Sequence, residues 1–290
     1  MYTYMGEIFK EVRQARHISL KNVAGEDFSY SMLSRFENGE ADLSSSKLLT
    51  ALDNIHMDLS EFSHLVKGYQ PDAYSRLKVE IWQAQSKGDL EKLRSMYEAE
   101  HKAYQVSSKQ VDALVRVLTI KANMLFLDET ITITDQEVEV LSDFLFTVEM
   151  WGQYELRLFA EVAPLLPLDL YYRYTREAMV KTDHFQKLPN IRNYIQTILI
   201  NGFFKALDEQ ALTKATYFKQ QIEEFSFHNN EAYLKIIYLF ALGCFTFLIA
   251  DKEEGKKQMA DAVNILRLLD YPESASYYES NMQQWLDRFA

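Results

Sequence analysis

Cysteine is nearly absent from this 290-residue chain, which carries Cys244 alone. No intrachain disulfide can form, and that usage suits a reducing compartment. Cys244 falls in the apolar stretch from Tyr238 to Ile249 and reads as a small buried hydrophobe rather than a reactive thiol. Glycine and proline are also scarce, nine and five. That argues against a turn-rich β-sandwich and favours many helices joined by short connections. The longest apolar run, about 12 residues, is too short to span a bilayer, and no basic stretch precedes an apolar segment at the amino terminus. A soluble cytoplasmic protein with no membrane contact is expected. Catalytic signatures are missing too: there is no Gly-x-Gly-x-x-Gly, no phosphate-binding glycine loop and no His-Glu-x-x-His. The six histidines are scattered in sequence. No enzymatic activity, cofactor or metal is expected.

Positive charge is in short supply as well. The formal net charge is −11, and residues 1–67 contain seven basic and ten acidic side chains, a net −3. Any binding to nucleic acid must therefore rest on a few placed side chains rather than on a basic domain, with weak non-specific affinity. The candidates are Lys10, Arg13, Arg16, Lys21, Arg35 and Lys47.

What is present in that segment is a series of polar caps followed by short amphipathic stretches. The pattern predicts five helices: Tyr4 to Arg16, with Ile8, Val12 and Ala15 on one face; Leu20 to Ala24, capped by Ser19 and ended by Gly25; Tyr30 to Glu37, capped by Ser29 and stopped at Asn38-Gly39; Ser45 to Ile55, capped by Ser44; and Glu61 to Lys67, capped by Ser60. Val23 and Ala24 are small enough for the second helix to pack on the third, and Leu33 and Phe36 point inward. Tyr30, Ser31, Ser34 and Arg35 are left facing outward on the third helix. That is the arrangement of a helix-turn-helix, whose second helix lies along base edges in the major groove of double-stranded DNA. Arg35 suits a bidentate contact to guanine, Ser31 a base or phosphate, and Tyr30 a thymine methyl. Arg13, Lys21 and Lys47 are further candidate DNA contacts. Arg13 and Glu37 could equally form an ion pair tying the first helix to the third.

Gly68-Tyr69-Gln70-Pro71 marks a boundary. The expected division is a DNA-binding domain over 1–67, a linker over 68–71 and a second domain over 72–290. From 72 onward the pattern predicts helices over 72–86, 89–105, 108–127, 134–150, 153–160, 167–180, 186–203, 208–225, 230–249, 252–269 and 272–289, with residues 130–134 extended. Turns of small and acidic residues recur, at Lys87–Glu91, Ala206–Ala211 and Ala250–Gly255. With Ala241-Leu242-Gly243 before the last and Ala262 after it, they resemble tetratricopeptide repeats (TPR), in which small residues let paired helices approach closely. The expected fold is all-α: a five-helix helix-turn-helix domain, then a TPR-like right-handed superhelix of stacked helix pairs whose concave face takes a peptide or protein segment.

Two segments give the chain a family likeness. Ser19-Leu-Lys-Asn-Val-Ala-Gly with Leu33-Ser-Arg-Phe-Glu-Asn-Gly-Glu40 is similar to the XRE class of helix-turn-helix domains. Trp151-Gly-Gln-Tyr-Glu-Leu-Arg-Leu-Phe159 resembles a segment common in the C-terminal domain of the Rgg regulators of streptococci and related Gram-positive bacteria. The resemblance extends along the whole chain. It implies a cytoplasmic homodimeric transcription factor whose repeat domain binds a short, imported, mostly hydrophobic pheromone peptide, with no metal and no catalysis.

A peptide groove needs side chains that satisfy backbone amides. Asn193 and Asn201, two helical turns apart on one face, are candidates, though each also fits a helix-packing hydrogen bond. Arg157 could pair with a peptide carboxylate or with another helix, and Tyr238 and Phe245 could form apolar wall. The last helix carries Tyr278, Met282, Trp285 and Phe289, more apolar surface than a terminal helix leaves in water. It either docks on the preceding repeat or is shared in a dimer, and the dimer is the reading preferred here. Two other classes remain open at this point: a repeat-based protein-interaction scaffold, and a small-molecule sensor.

Overall fold

Sixteen α-helices and three short 3-10 turns make up the computed structural model, which describes residues 5–68, 70, 73–107 and 110–289; no strand occurs among them. They fall into two compact units that divide between Glu80 and Ile81, inside one helix.

The first unit opens with α1 (Met5–Ala15), α2 (Leu20–Ala24), α3 (Tyr30–Glu37), α4 (Ser45–Asn54) and α5 (Leu59–Val66). Their starts follow from caps: Ser19, Ser29 and Ser44 accept the amides of Asn22, Met32 and Lys47. The fifth cap is not Ser60. Asp58 accepts from the Ser60 amide at 2.7 Å while Glu61 accepts from the Asp58 amide at 3.0 Å, a capping box that starts the helix two residues earlier. The core is built from Phe9, Val23, Leu33, Phe36, Leu52, Ile55 and Phe62. On α1 the buried line is Phe9 and Arg13, with Ile8 and Val12 half-buried and Ala15 exposed, so the inward face is turned from the one the apolar spacing suggested. Tyr4, where α1 was expected to start, and Tyr69 and Pro71 of the expected linker lie outside the described residues.

α6 (Ala73–Ser86) contains the division. The second unit continues with α7 (Leu90–Val106), α8 (Gln110–Leu125), α9 (Asp135–Thr147), α10 (Gln153–Val162), α11 (Leu168–Lys181), α12 (Pro189–Asp208), α13 (Leu212–Phe225), α14 (Ala232–Ile249), α15 (Lys252–Leu268) and α16 (Pro272–Phe289). Residues 131–134 have no regular secondary structure, with Thr134 extended as the cap of α9. Neighbours pair as α7 with α8, α12 with α13, and α14 with α15, while α8, α10, α12 and α14 stack on one another, giving a TPR-like superhelix with α16 closing on α15.

Absence of side chains sets the tightest pair. A Cβ on Gly255 would sit 2.4 Å from the Phe247 amide nitrogen, and one on Gly243 2.7 Å from that of Met259. The backbones of α14 and α15 therefore touch. Gly202 does a different job inside α12: the ring of Phe218, from α13, lies where its Cβ would be. That glycine does not end the helix, which runs on to Asp208, five residues beyond the predicted stop. The turn that follows uses Gln210, not glycine, at φ +52°. The two turns are built differently: Asp251 caps α15 through the amides of Glu253 and Glu254, whereas Asp208 is the last residue of α12.

α14 is long and apolar enough to cross a membrane by length and composition. Its place in the fold accounts for that composition: Ile236, Ile237, Phe240, Ala241, Cys244 and Phe247 are all buried within the unit.

Candidate DNA-reading face and ligand cavity

In the first unit, α3 is held from behind and open in front. Leu33 and Phe36 are buried, whereas Tyr30, Ser31 and Arg35 are exposed and Ser34 half-exposed. The side chain of Arg35 is 61 % accessible and only 3.9 Å from Glu40, a loose pair that leaves the guanidinium free to turn outward. Asn54 of α4 donates to the Val23 carbonyl at 2.8 Å, satisfying the end of α2 and fixing it on α4.

Arg13 requires a correction as a DNA contact. It is buried, its Nε and Nη2 donate to both carboxylate oxygens of Glu37 at 2.6 and 2.7 Å, and Nη1 donates to the Ile18 carbonyl at 2.7 Å. The hydrogen bond to Glu37 raises its pKa further, so it stays charged. Its fork is filled, and it locks α1 onto the end of α3 as the alternative reading held. Other members of the basic set are also engaged. Arg16 donates to the carbonyls of Ile55 and His56, a cation at the C-terminus of α4. Lys10 donates to Asn38, and Lys47 is half-buried with Nζ 3.3 Å from the Met32 sulfur. Lys21 is exposed.

In the second unit, α12, α14 and α16 enclose a cavity of about 570 Å³ with contributions from Phe126, Ala163, Pro164 and Tyr171. α12 presents Asn201, Phe204, Lys205 and Asp208, spaced i, i+3, i+4, i+7 along one face; α14 presents Phe240 and Cys244; α16 presents Tyr278, Asn281, Gln284, Trp285 and Arg288. Burial pushes the Cys244 thiol and the Tyr171 and Tyr278 hydroxyls up, so all three stay protonated at neutral pH. Tyr171 donates to the Ile198 carbonyl at 2.7 Å. α12 is braced behind this face: Arg192 donates to Glu231 at 2.9 Å, and Gln196 donates to Glu231 at 2.7 Å and to the Ser226 carbonyl at 3.1 Å. Chiefly through the Arg192 hydrogen bond, the Glu231 carboxyl is pulled down to about 2.

Of the five residues expected to line a peptide groove, Asn201 alone borders this cavity. Asn193 is exposed on α12 two turns before it. Arg157 lies over the Tyr154 ring at 5.8 Å. Tyr238 is buried against Phe203 and Phe227 with its hydroxyl donating to Glu223, and Phe245 also packs on Phe203. They occupy the stripe of α14 that faces α12 and α13, one step round from Phe240 and Cys244. Of the residues expected at a dimer interface, Tyr278 packs on Phe240 at 5.1 Å and Trp285 is 8 % exposed, and both stand in the wall of the chain's own cavity. Met282 and Phe289 are half-buried, Phe289 against Trp285. The Trp151–Phe159 segment is packing: Trp151 is fully buried and donates to the Leu145 carbonyl, and Glu155 accepts the Gly152 amide to start α10.

The comparisons with known proteins agree with this architecture. Residues 94–280 match the family described as HTH-type transcriptional regulator Rgg, C-terminal domain. The Streptococcus dysgalactiae SHP pheromone receptor Rgg2 superposes with a TM-score of 0.79 at 23% identity, over 97% of this chain and 99% of that one. A protein of Listeria monocytogenes EGD-e described as a transcriptional regulator gives 0.80 at 16%, over 98% and 97%. PrgX in complex with iCF10 gives 0.74 at 12%, over 100% and 99%. At these identities the likenesses establish a shared fold.

Proposed function

Because the chain belongs to the Rgg family of helix-turn-helix transcriptional regulators, we propose that it binds a specific promoter site in double-stranded DNA as a cytoplasmic homodimer, and that a short hydrophobic peptide held by the second unit sets its activity. The DNA domain would span residues 1–67, with 68–71 as linker and 72–290 as peptide-binding and dimerising domain. The observation that carries the DNA half is the row Tyr30, Ser31 and Arg35 standing in solvent on a helix whose other side is clamped by Arg13–Glu37. A rigid helix with a short, polar, cationic outer row fits a major groove. Lys21 is the best-placed phosphate contact. The α12–α14–α16 cavity supports the peptide half, since it joins an apolar wall to asparagine and glutamine amides that suit peptide backbone. Two solved structures of this fold are described as an SHP pheromone receptor and as a bacterial peptide pheromone/receptor complex.

Footprinting of the full-length protein on genomic DNA tests the first half. Arg35→Ala should lose the footprint while its circular dichroism is unchanged; a retained footprint would remove α3 as the reading helix. Calorimetric titration with apolar octapeptides tests the second, and failure of every peptide would remove peptide control. The volume of the cavity also falls in the range of small-molecule sites, about 300–1,000 Å³, which favours a small-molecule sensor as the second reading. A non-peptide ligand retained in native mass spectrometry would select it.

A further inference from the structure

The charged groups bordering the cavity are confined to one end, where α12 and α16 meet: Lys205, Asp208 and Arg288. Two cations face one carboxylate, in a chain whose net charge is −11. The carboxylate does not use up the cations. Arg288 donates to the backbone carbonyl of Asp208 at 3.0 Å but comes only within 3.9 Å of its carboxylate. Lys205, one turn earlier on the same face, makes no ion pair among the described residues. Partial burial pushes the Asp208 carboxyl up despite both cations, although its side chain stays about half accessible. Trp285 lies one turn before Arg288 on α16. Its side chain is more than nine-tenths buried, and its Nε1–H has no acceptor among the described residues. An indole N–H left unpaired in a protein interior is unfavourable, so this donor is open to an acceptor from outside the chain. The opposite wall, with Phe240 and Tyr278, is apolar.

We propose that this end is a carboxylate subsite, in which Arg288 and Lys205 take the terminal carboxylate of the bound peptide and the Trp285 N–H donates to the same end. The inference rests on the peptide reading above and adds a polarity to it: the chain terminus lies between α12 and α16, and the apolar side chains lie toward Phe240 and Tyr278. Arg288 exchanges a weak contact with Asp208 for a bidentate one with the ligand, and its planar fork matches a carboxylate better than any neutral amide. Because α12 and α16 each supply a cation, the bound carboxylate also ties the last helix to the repeat.

The test uses the full-length protein and three octapeptide pools built from Leu, Ile, Val and Gly, titrated by calorimetry. One pool has a free C-terminal carboxylate, one a C-terminal amide, and one an amide with Asp as its last residue. The free acid should bind at least about tenfold more tightly than the plain amide. The third pool locates the source: tight binding means that a side-chain carboxylate serves as well, and weak binding means that the site demands the chain terminus. Arg288→Gln and Lys205→Met should each bring the acid toward the affinity of the amide, with unchanged circular dichroism and urea midpoint showing the variants to be folded. Trp285→Phe keeps the ring and should weaken the acid more than the amide. Equal affinity of all three pools for the wild-type protein would overturn the subsite while leaving peptide binding intact. Binding of none would overturn the peptide reading itself, and the subsite with it.

Discussion

Glu231 shows what a single side chain contributes to holding the cavity. Its carboxyl is hydrogen-bonded by Arg192, by Gln196 and by the His228 amide, and its folded pKa of about 2 lies below the ordinary 4.5. A carboxyl with a depressed folded pKa adds stability that is fully present above its unfolded value and is lost as pH falls through the folded one. Glu231→Gln should therefore destabilise the repeat unit by roughly 2 kcal/mol at pH 7. The gap between wild type and variant in urea denaturation should narrow between pH 4.5 and pH 2, and a gap independent of pH would contradict the pairing. The buried Arg13–Glu37 pair behaves differently, because removing one partner strands the other charge. Glu37→Gln should cost about 3–5 kcal/mol and abolish DNA binding through loss of the α1–α3 clamp, seen as early melting of the first unit. That pair was legible in the sequence as one of two readings of Arg13. The cavity residues were not, and α14 explains why. The helix is apolar on nearly every face, so no periodicity says whether Tyr238 and Phe245 or Phe240 and Cys244 look into the cavity.

Among elements, existence and order were legible because caps and apolar spacing are local signals. All eleven helices expected after residue 72 are present, and α2 and α3 begin and end where expected. Boundaries failed where a residue type had a tertiary job. The helix expected to stop at 203 runs on through Gly202, which makes room for the Phe218 ring, and Gln210 in a left-handed conformation closes a turn that no glycine or proline announced. α16 carries a related ambiguity: a stripe of aromatic residues on a last helix reads alike whether a partner or an internal cavity lies opposite. The α14–α15 contact offers the clearest element-scale test. A methyl group on Gly255 has only backbone to push against, so Gly255→Ala should destabilise the protein by about 1–3 kcal/mol. Gly39→Ala, at a turn with open space around the Cβ position, should not move the packing of that pair. The measurement is urea unfolding of the repeat unit, and an unchanged midpoint for Gly255→Ala would mean that the two helices can part cheaply.

For the whole molecule, charge decides how DNA can be held. The formal charge of −11 repels a phosphate backbone, and the structure ties down much of the basic set: Arg13 on Glu37, Arg16 on the end of α4 and Lys10 on Asn38. Arg35 and Lys21 remain exposed, and Lys47 partly so. With Arg35 on a base, Lys21 and in part Lys47 would let a homodimer neutralise about two to four phosphates, and with a slope of about −0.9 per phosphate its log affinity should fall by roughly 2–4 per decade of salt. The two exposed cations should also separate by role. In the proposed complex Arg35 would read a base, so Arg35→Ala should erase preference for the specific site at a cost of about 1–3 kcal/mol per copy, with the salt slope little changed. Lys21→Ala removes a phosphate contact and should weaken all sequences alike, reducing the slope by about two in a dimer, one per copy. Fluorescence anisotropy on specific and scrambled duplexes across a salt series measures both quantities. A wild-type slope steeper than about −8 would require cations beyond those that the first unit exposes near α3, and reversed behaviour of the two variants would exchange their assignments.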